Sequence, residues 1–559
     1  MKRFNIFIFA ILGFLVGISC YRVSSLYFFN DELAQMGAVR EYGILVGYAH
    51  VKSLFSILLG NGRVLGALLN GVFFYYFRDN PMPFAIFALV IQTLNSYLAY
   101  LVAKKITKNN HIAFITACVF SVPAAANQAV SWFGATTQTL GGMTFVFLAL
   151  LAAIQGITWK KKSMQIASWV LAYIAFLFKE SSFFVFPLLL VLPYVVVPRV
   201  QSVHWKKYAV ILAALFIFGS YKTLEYFGIS IGHLNSIRQL SVIGKALFQM
   251  VYFPLVSLGQ FFIPAQFMHR FAPIFARFTY GFMATTTADD LATSVIVADM
   301  LSIMAAFILL IVVAIIYAKR NYLRRSILFI LCWYVASFVP ISVFTYQRGT
   351  SYVESRYLYF SYFPVAMMVG FMLDEVRIIF GSIIKNAKAA YVITYIILTL
   401  FLYKQVMLMQ RGINENIVYG NDIKSAMQTI RTSYPVLPAK PIFFVEGDRK
   451  YFFDNNVLPF KLGTGYMLLL TFKDNPQISG KMIGDNYLYK FFDQGYKEIG
   501  DKGFGYFWNK KDLLNFFRTN KNLSVDQLVG IYYYGNDRRV LDTTSALRKE
   551  IIFDMETGQ

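Results

Sequence analysis

The feature that most constrains this chain is a recurrence of apolar stretches, each about 20 residues long and separated by short basic clusters. A helix of that length crosses the roughly 30 Å hydrocarbon layer of a bilayer. The stretches fall near residues 5–25, 83–103, 111–130, 138–157, 163–180, 182–198, 207–226, 295–317, 325–346, 356–376 and 389–408. Of the 559 residues 57% are hydrophobic and 14% charged, against about 25% charged in soluble proteins. The formal charge of +23 invites a nucleic-acid reading. The distribution of the charge argues against it. Lys104-Lys105, Lys160-Lys161-Lys162, Lys206-Lys207, Lys319-Arg320 with Arg324-Arg325, and Lys385 with Lys388 each sit between apolar stretches. That spacing is what a positive-inside topology requires.

Charge parity then orders the chain. With Lys2-Arg3 and every later cluster cytoplasmic, about 11 spans taken in sequence satisfy all the constraints. Val64–Phe77 is also apolar, but a crossing there would move Lys104-Lys105 outside, so it is expected to lie along the interface or to re-enter. The stretch 246–263 is read the same way. The first apolar stretch lacks a small-residue cleavage site and reads as an uncleaved span. The expected location is the plasma membrane, with the N-terminus cytoplasmic and the C-terminus extracytoplasmic. Residues 26–82, 227–294, 347–355 and those after 409 then face outward, with short outward loops at 132–138 and 179–182. Cys20, Cys118 and Cys332 all lie in apolar stretches, which leaves the C-terminal region without a disulfide framework or a zinc pattern.

The expected fold is an all-α polytopic membrane domain over 1–408, with interfacial helices in the first external loop. A small soluble α+β domain follows over 409–559, outside the cytoplasm. Its strand-like runs are 442–445, 466–472, 487–492, 505–508 and 528–534, rich in Tyr, Phe and Val and bounded by Gly, Asp and Asn. Residues 512–518 have helical spacing, with Asp512 as expected N-cap.

Polar residues that can do chemistry converge on the outward face. Asp31-Glu32 follows the first span, where desolvation makes two acids costly. A solvated cap would explain the pair; so would a general base acting on a hydroxyl or amide arriving from outside. Lys179-Glu180-Ser181 ends a span on the side where lysine is rare. It reads as an ion pair at two helix ends, or as an anion site with Lys179 the point charge and Glu180 near the substrate. Arg356-Tyr357-Leu358-Tyr359 opens a late span. Arginine grips phosphate bidentately, and a helix start favours anions, although an interfacial arginine with belt tyrosines looks the same. Arg63 can bind phosphate or snorkel. Trp132 can stack on a sugar or anchor the interface. Of five histidines, His50 and His233 are expected outside, without metal spacing, and packed or solvated histidine is the plainer reading. The acids Asp289, Asp290 and Asp299 read as a solvated patch.

With these pieces in place the chain resembles the GT-C superfamily of membrane glycosyltransferases, and most of all the group containing protein O-mannosyltransferases and related transmembrane mannosyltransferases. Three features carry the resemblance over residues 1–408: the acidic pair Asp31-Glu32 after the first span, the run Phe176-Leu177-Phe178-Lys179-Glu180-Ser181 leading to Pro187, and Arg356 to Tyr359 opening a late span. The stretch 127–140, with Trp132, is a looser echo. The resemblance implies inverting transfer of a sugar from a polyprenyl-phosphate-linked donor to an acceptor protein, lipid or glycan. It implies Asp31 as general base with Glu32 as alternate, and Lys179, Arg356 and Arg63 as holders of the donor phosphate. Tyr357, Trp132, Glu180 and His50 would border the substrate. No cofactor is expected; a divalent metal is conceivable without a residue pattern to hold it. The chain departs from the pattern in having Val64 rather than proline after Arg63, and no tetratricopeptide tail. A lipid or glycan transporter and a membrane-anchored binding protein are the alternatives. The first needs mid-membrane charge or inverted repeats, and the second puts the work in the C-terminal domain.

Overall fold

Long apolar runs free of internal breakers fold as helices, because backbone hydrogen bonds closed within one segment need no water. The computed structural model describes residues 2–29, 31–44, 63–197, 237–262, 287–344, 355–448, 451–453, 456–458, 464–478, 494–535, 537 and 539–557. Among these, six helices are long and apolar enough to cross a membrane: Asn5–Ser25, Met82–Thr107, Phe133–Thr158, Val297–Lys319, Asn321–Ser342 and Ala387–Ser433. Val64–Phe77, Asn110–Phe120, Lys162–Phe178, Glu180–Val196 and Leu247–Phe262 are apolar but shorter. Among the described residues the long spans are therefore fewer than the 11 or so expected from sequence, and the breaks seen there have physical causes. The stretch at 111–130 stops as a helix at Phe120, because Pro123 disfavours helical backbone at the residue before it. The stretch at 356–376 starts with a 3-10 turn, Ser355–Leu358, and carries Asp374 and Glu375 in helix Tyr359–Ile384. The expected span at 207–226 lies outside the described residues.

The chain divides into two compact units, one of residues 1–21 with 87–412 and the other of residues 22–86 with 413–559. In the first, helix Tyr359–Ile384 is buried continuously from Tyr359 to Phe371. Trp333, wholly buried, donates from Nε1 to the Phe360 carbonyl at 3.0 Å, and its ring lies 4.7 Å from that of Phe363. Asn95 shows how a buried polar group is paired in this dry interior. Asn95 donates to the Leu140 carbonyl at 3.0 Å and accepts from Thr144 at 2.7 Å. Gly370 lets the helix approach Asn110–Phe120 closely, since a Cβ there would come within 2.8 Å of Thr116 Oγ1. Lys108, Lys160 and Lys385 stand just beyond helix ends with φ of 55°, 56° and 53°. A left-handed residue commonly closes a helix, and a cation there complements the helix dipole.

In the second unit, helix Val64–Phe77 packs on helix Asp31–Tyr42, with Asn70 Nδ2 donating to Gln35 Oε1 at 3.1 Å. Phe28, Phe74 and Phe84 form an aromatic knot beside them. The C-terminal portion is a five-stranded sheet in the order β4-β5-β1-β6-β7, where β1 is Ile442–Gly447, β4 Gly495–Ile499, β5 Lys502–Phe507, β6 Leu528–Tyr534 and β7 Arg539–Asp542. The short strands β2, Tyr451–Phe453, and β3, Asn456–Leu458, pair separately. β1 runs parallel to β5 and β6, and the edge strands are antiparallel. On one face Ile442, Phe444 and Leu528 pack with Leu513 and Phe517 of helix Lys510–Thr519 and Leu547 and Ile551 of helix Thr544–Thr557. The α+β character holds, with two corrections. Residues 466–472 fall in helix Thr464–Thr471 rather than a strand. The cap of helix Lys510–Thr519 is Asn509, whose side chain accepts from Lys511 N, and not Asp512. The run 487–492 lies outside the described residues.

Candidate functional site

The first compact unit brings together Lys179, Arg356, Tyr357 and Trp132. Helix Lys162–Phe178 ends at Lys179, whose backbone is extended at φ −157° and ψ 127°. That turn of the chain sends the side chain inward instead of along the helix. The approach depends on Gly141, where a Cβ would lie 2.7 Å from the Phe178 ring. Lys179 is 1% exposed, and its Nζ donates to Thr139 Oγ1 at 2.6 Å.

Arg356 comes from the 3-10 turn that precedes helix Tyr359–Ile384. The turn is tied to residues 127–128 through Ser355, whose Oγ accepts from Gln128 N at 3.0 Å and bonds Asn127 Oδ1 at 3.3 Å. This holds Arg356 over the Trp132 ring at 4.0 Å, so one face of the indole is covered by the guanidinium. Lys179 Nζ and Arg356 Cζ each lie 5.1 Å from the centroid of the Tyr357 ring, which bounds their separation at twice that distance.

Burying each cation costs several kcal/mol. A desolvated ring face offsets about 2 kcal/mol of this, and two like charges near one ring repel in a low dielectric. An anion between them reverses that repulsion. Neighbouring polar atoms point the same way: Ser181 Oγ, Ser182 Oγ and Gln128 Oε1 are buried without a hydrogen-bond partner among the described residues. Thr136, Thr137 and Thr139 are buried as well.

The other expected site residues are placed differently. Glu180 is half-buried and opens the turn Glu180–Phe184 next to Lys179. Asp31, Glu32 and Arg63 belong to the second unit. Asp31 opens helix Asp31–Tyr42. Glu32 is fully buried and its Oε2 accepts from Phe29 N at 3.0 Å, a capping contact that holds the helix start. Arg63 precedes helix Val64–Phe77 in left-handed conformation, φ 53°. His50 lies outside the described residues. Among the described residues no three His, Cys, Asp or Glu side chains gather as a metal site. Thr139 and Ser182 join the cluster without any motif to announce them; the one available signal was a polar residue inside an apolar stretch. No family model, curated protein or solved structure matches the chain.

Proposed function

We propose that the chain is a membrane glycosyltransferase that moves a sugar from a polyprenyl-phosphate-linked donor to an acceptor on the extracytoplasmic side, with inversion at the anomeric carbon. The observation that carries this reading is the convergence of buried Lys179 and Arg356 on the Tyr357 ring. Two fixed cations suit a phosphate that leaves with its charge, and preorganised charge of this kind commonly contributes more to catalysis than any other single effect. In the proposed reaction Asp31 takes the proton of an acceptor hydroxyl or amide as that atom bonds to the anomeric carbon. The bond from that carbon to the phosphate oxygen breaks, its electron pair leaves with the polyprenyl phosphate, and Lys179 and Arg356 stabilise the product. The topology belongs to the same proposal: about 11 spans, N-terminus inside, residues 409–559 outside.

The test is sugar transfer by the purified full chain from a polyprenyl-phosphate sugar. Lys179→Met and Arg356→Gln should each lower the rate about 10²- to 10³-fold, the usual loss on removing one preorganised charge donor. Rates within threefold of wild type in both variants (less than about 0.7 kcal/mol) would remove the cations from the reaction.

A further inference from the structure

The far end of helix Tyr359–Ile384 carries a second polar cluster. Asp374 lies about 27 Å along the helix axis from Arg356, at about 1.5 Å rise per residue. It is 1% exposed. His111 Nδ1 lies 3.1 Å from Asp374 Oδ1, and because a carboxylate only accepts, the proton is on Nδ1. Arg377 Nε also donates to Oδ1, at 3.0 Å. Asn109 Nδ2 donates to Oδ2 at 3.4 Å. The imidazole is thus fixed in place and tautomer, with Tyr391 and Tyr395 edge-on at 5.2 and 5.5 Å.

The other ring nitrogen is the notable one. The His111 side chain is 9% exposed, and Nε2 is buried with no hydrogen-bond partner among the described residues. His111 lines a cavity of about 1120 Å³ within the first unit, slightly larger than the usual ligand pocket. Lys108 and Arg325 line the same cavity, and so do Phe7, Ile11 and Phe114. One part of the wall is therefore cationic and the other apolar. Phe7 both lines the cavity and stands 63% exposed on the first apolar helix, so the apolar wall continues onto the surface that a bilayer would cover.

The geometry points to a binding site for a phosphate-bearing lipid headgroup. The P–OH of a phosphate monoester donates to Nε2 while Nδ1–H stays on Asp374. Lys108 and Arg325 supply the balancing charge, and the acyl chains follow the apolar wall outward. The site is independent of the proposed transfer reaction and lies at the other end of the same helix.

The test is native mass spectrometry of the full chain in detergent, offered equal amounts of phosphatidic acid and phosphatidylcholine with identical chains. Wild type should retain phosphatidic acid about tenfold better. His111→Gln and Lys108→Gln should each abolish the preference, whereas Lys160→Gln, a change at an exposed cation on another turn, should leave it. Lys108 is exposed and outside the Asp374 network, so its variant decides the matter where His111→Gln does not fold. Equal retention by wild type, or a preference that survives in either variant, overturns the site. Displacement by inorganic phosphate at the lipid's own concentration overturns the lipid as its occupant.

Discussion

The two ends of helix Tyr359–Ile384 hold cations in different ways. At its start, Lys179 and Arg356 share the Tyr357 ring, with Trp132 and the Thr139 hydroxyl beside them. Near its other end, Arg320 grips Glu375 with two hydrogen bonds of 2.7 and 2.9 Å, and Asp374 is shared by His111 and Arg377. A cation matched to a carboxylate mainly stabilises the fold. At the helix start, ring faces and a hydroxyl take part in holding the cations. The same residue types therefore serve structure at one end and, in the proposed function, chemistry at the other.

Substitutions that separate stability from activity sharpen this contrast. The largest effect is expected from the double change Lys179→Met with Arg356→Gln, which should lower sugar transfer by about 10³-fold or more and shift Tm by only a few degrees. A collapse of Tm with proportionate loss of activity would break the comparison. Asp374→Asn should do the opposite, costing about 3 kcal/mol of stability because it leaves Arg377 and His111 without their buried carboxylate, while transfer by the folded fraction persists. Gly141→Leu should push on the Phe178 ring and displace Lys179, lowering transfer about tenfold, a displaced positioning group being enough for that. Arg320→Gln touches a partly exposed pair and should cost about 1 kcal/mol. The smallest effect belongs to Glu498 on β4. Its carboxyl is held below the ordinary carboxylate value, first by the Tyr496 hydroxyl at 2.6 Å and then by Lys440. A depressed acid stabilises above its unfolded value and loses that contribution as pH falls. Glu498→Gln should therefore destabilise slightly at neutral pH, by less than about 1 kcal/mol for so exposed a pair, and the difference should vanish in acid below the carboxylate range.

Much of this was legible before the structure. The basic clusters sit at helix ends because a helix that stops at a bilayer edge needs polar punctuation, and Lys160 and Lys385, each from one of those clusters, are two such stops. Lys179, Arg356, Tyr357 and Trp132 were singled out one by one, yet nothing local says that they meet. Their meeting depends on Gly141 and on the Ser355 contacts with Asn127 and Gln128, which are tertiary facts. The helix at 464–471 was misread because a short run of Met and Leu carries no decisive periodicity. Asn509 outranked Asp512 as a cap because the preceding strand ends at Phe507 and the next free N–H groups fall to Asn509. Nothing near His111 in sequence announces its role, since its partner Asp374 is more than 250 residues away. A lone acid inside an apolar stretch was the cue to look for one.

The central claim is that a lipid-phosphate sugar is the donor and that Asp31 is the base. The most direct measurement gives the purified full chain a polyprenyl-phosphate sugar and an acceptor, and follows sugar transfer and polyprenyl phosphate release together for wild type and Asp31→Asn. The account predicts equal amounts of both products from wild type and a loss of about 10²- to 10⁴-fold in the variant, the usual contribution of a general base. Transfer by Asp31→Asn at the wild-type rate would contradict the base, and no transfer by wild type from any polyprenyl-phosphate sugar would contradict the claim itself.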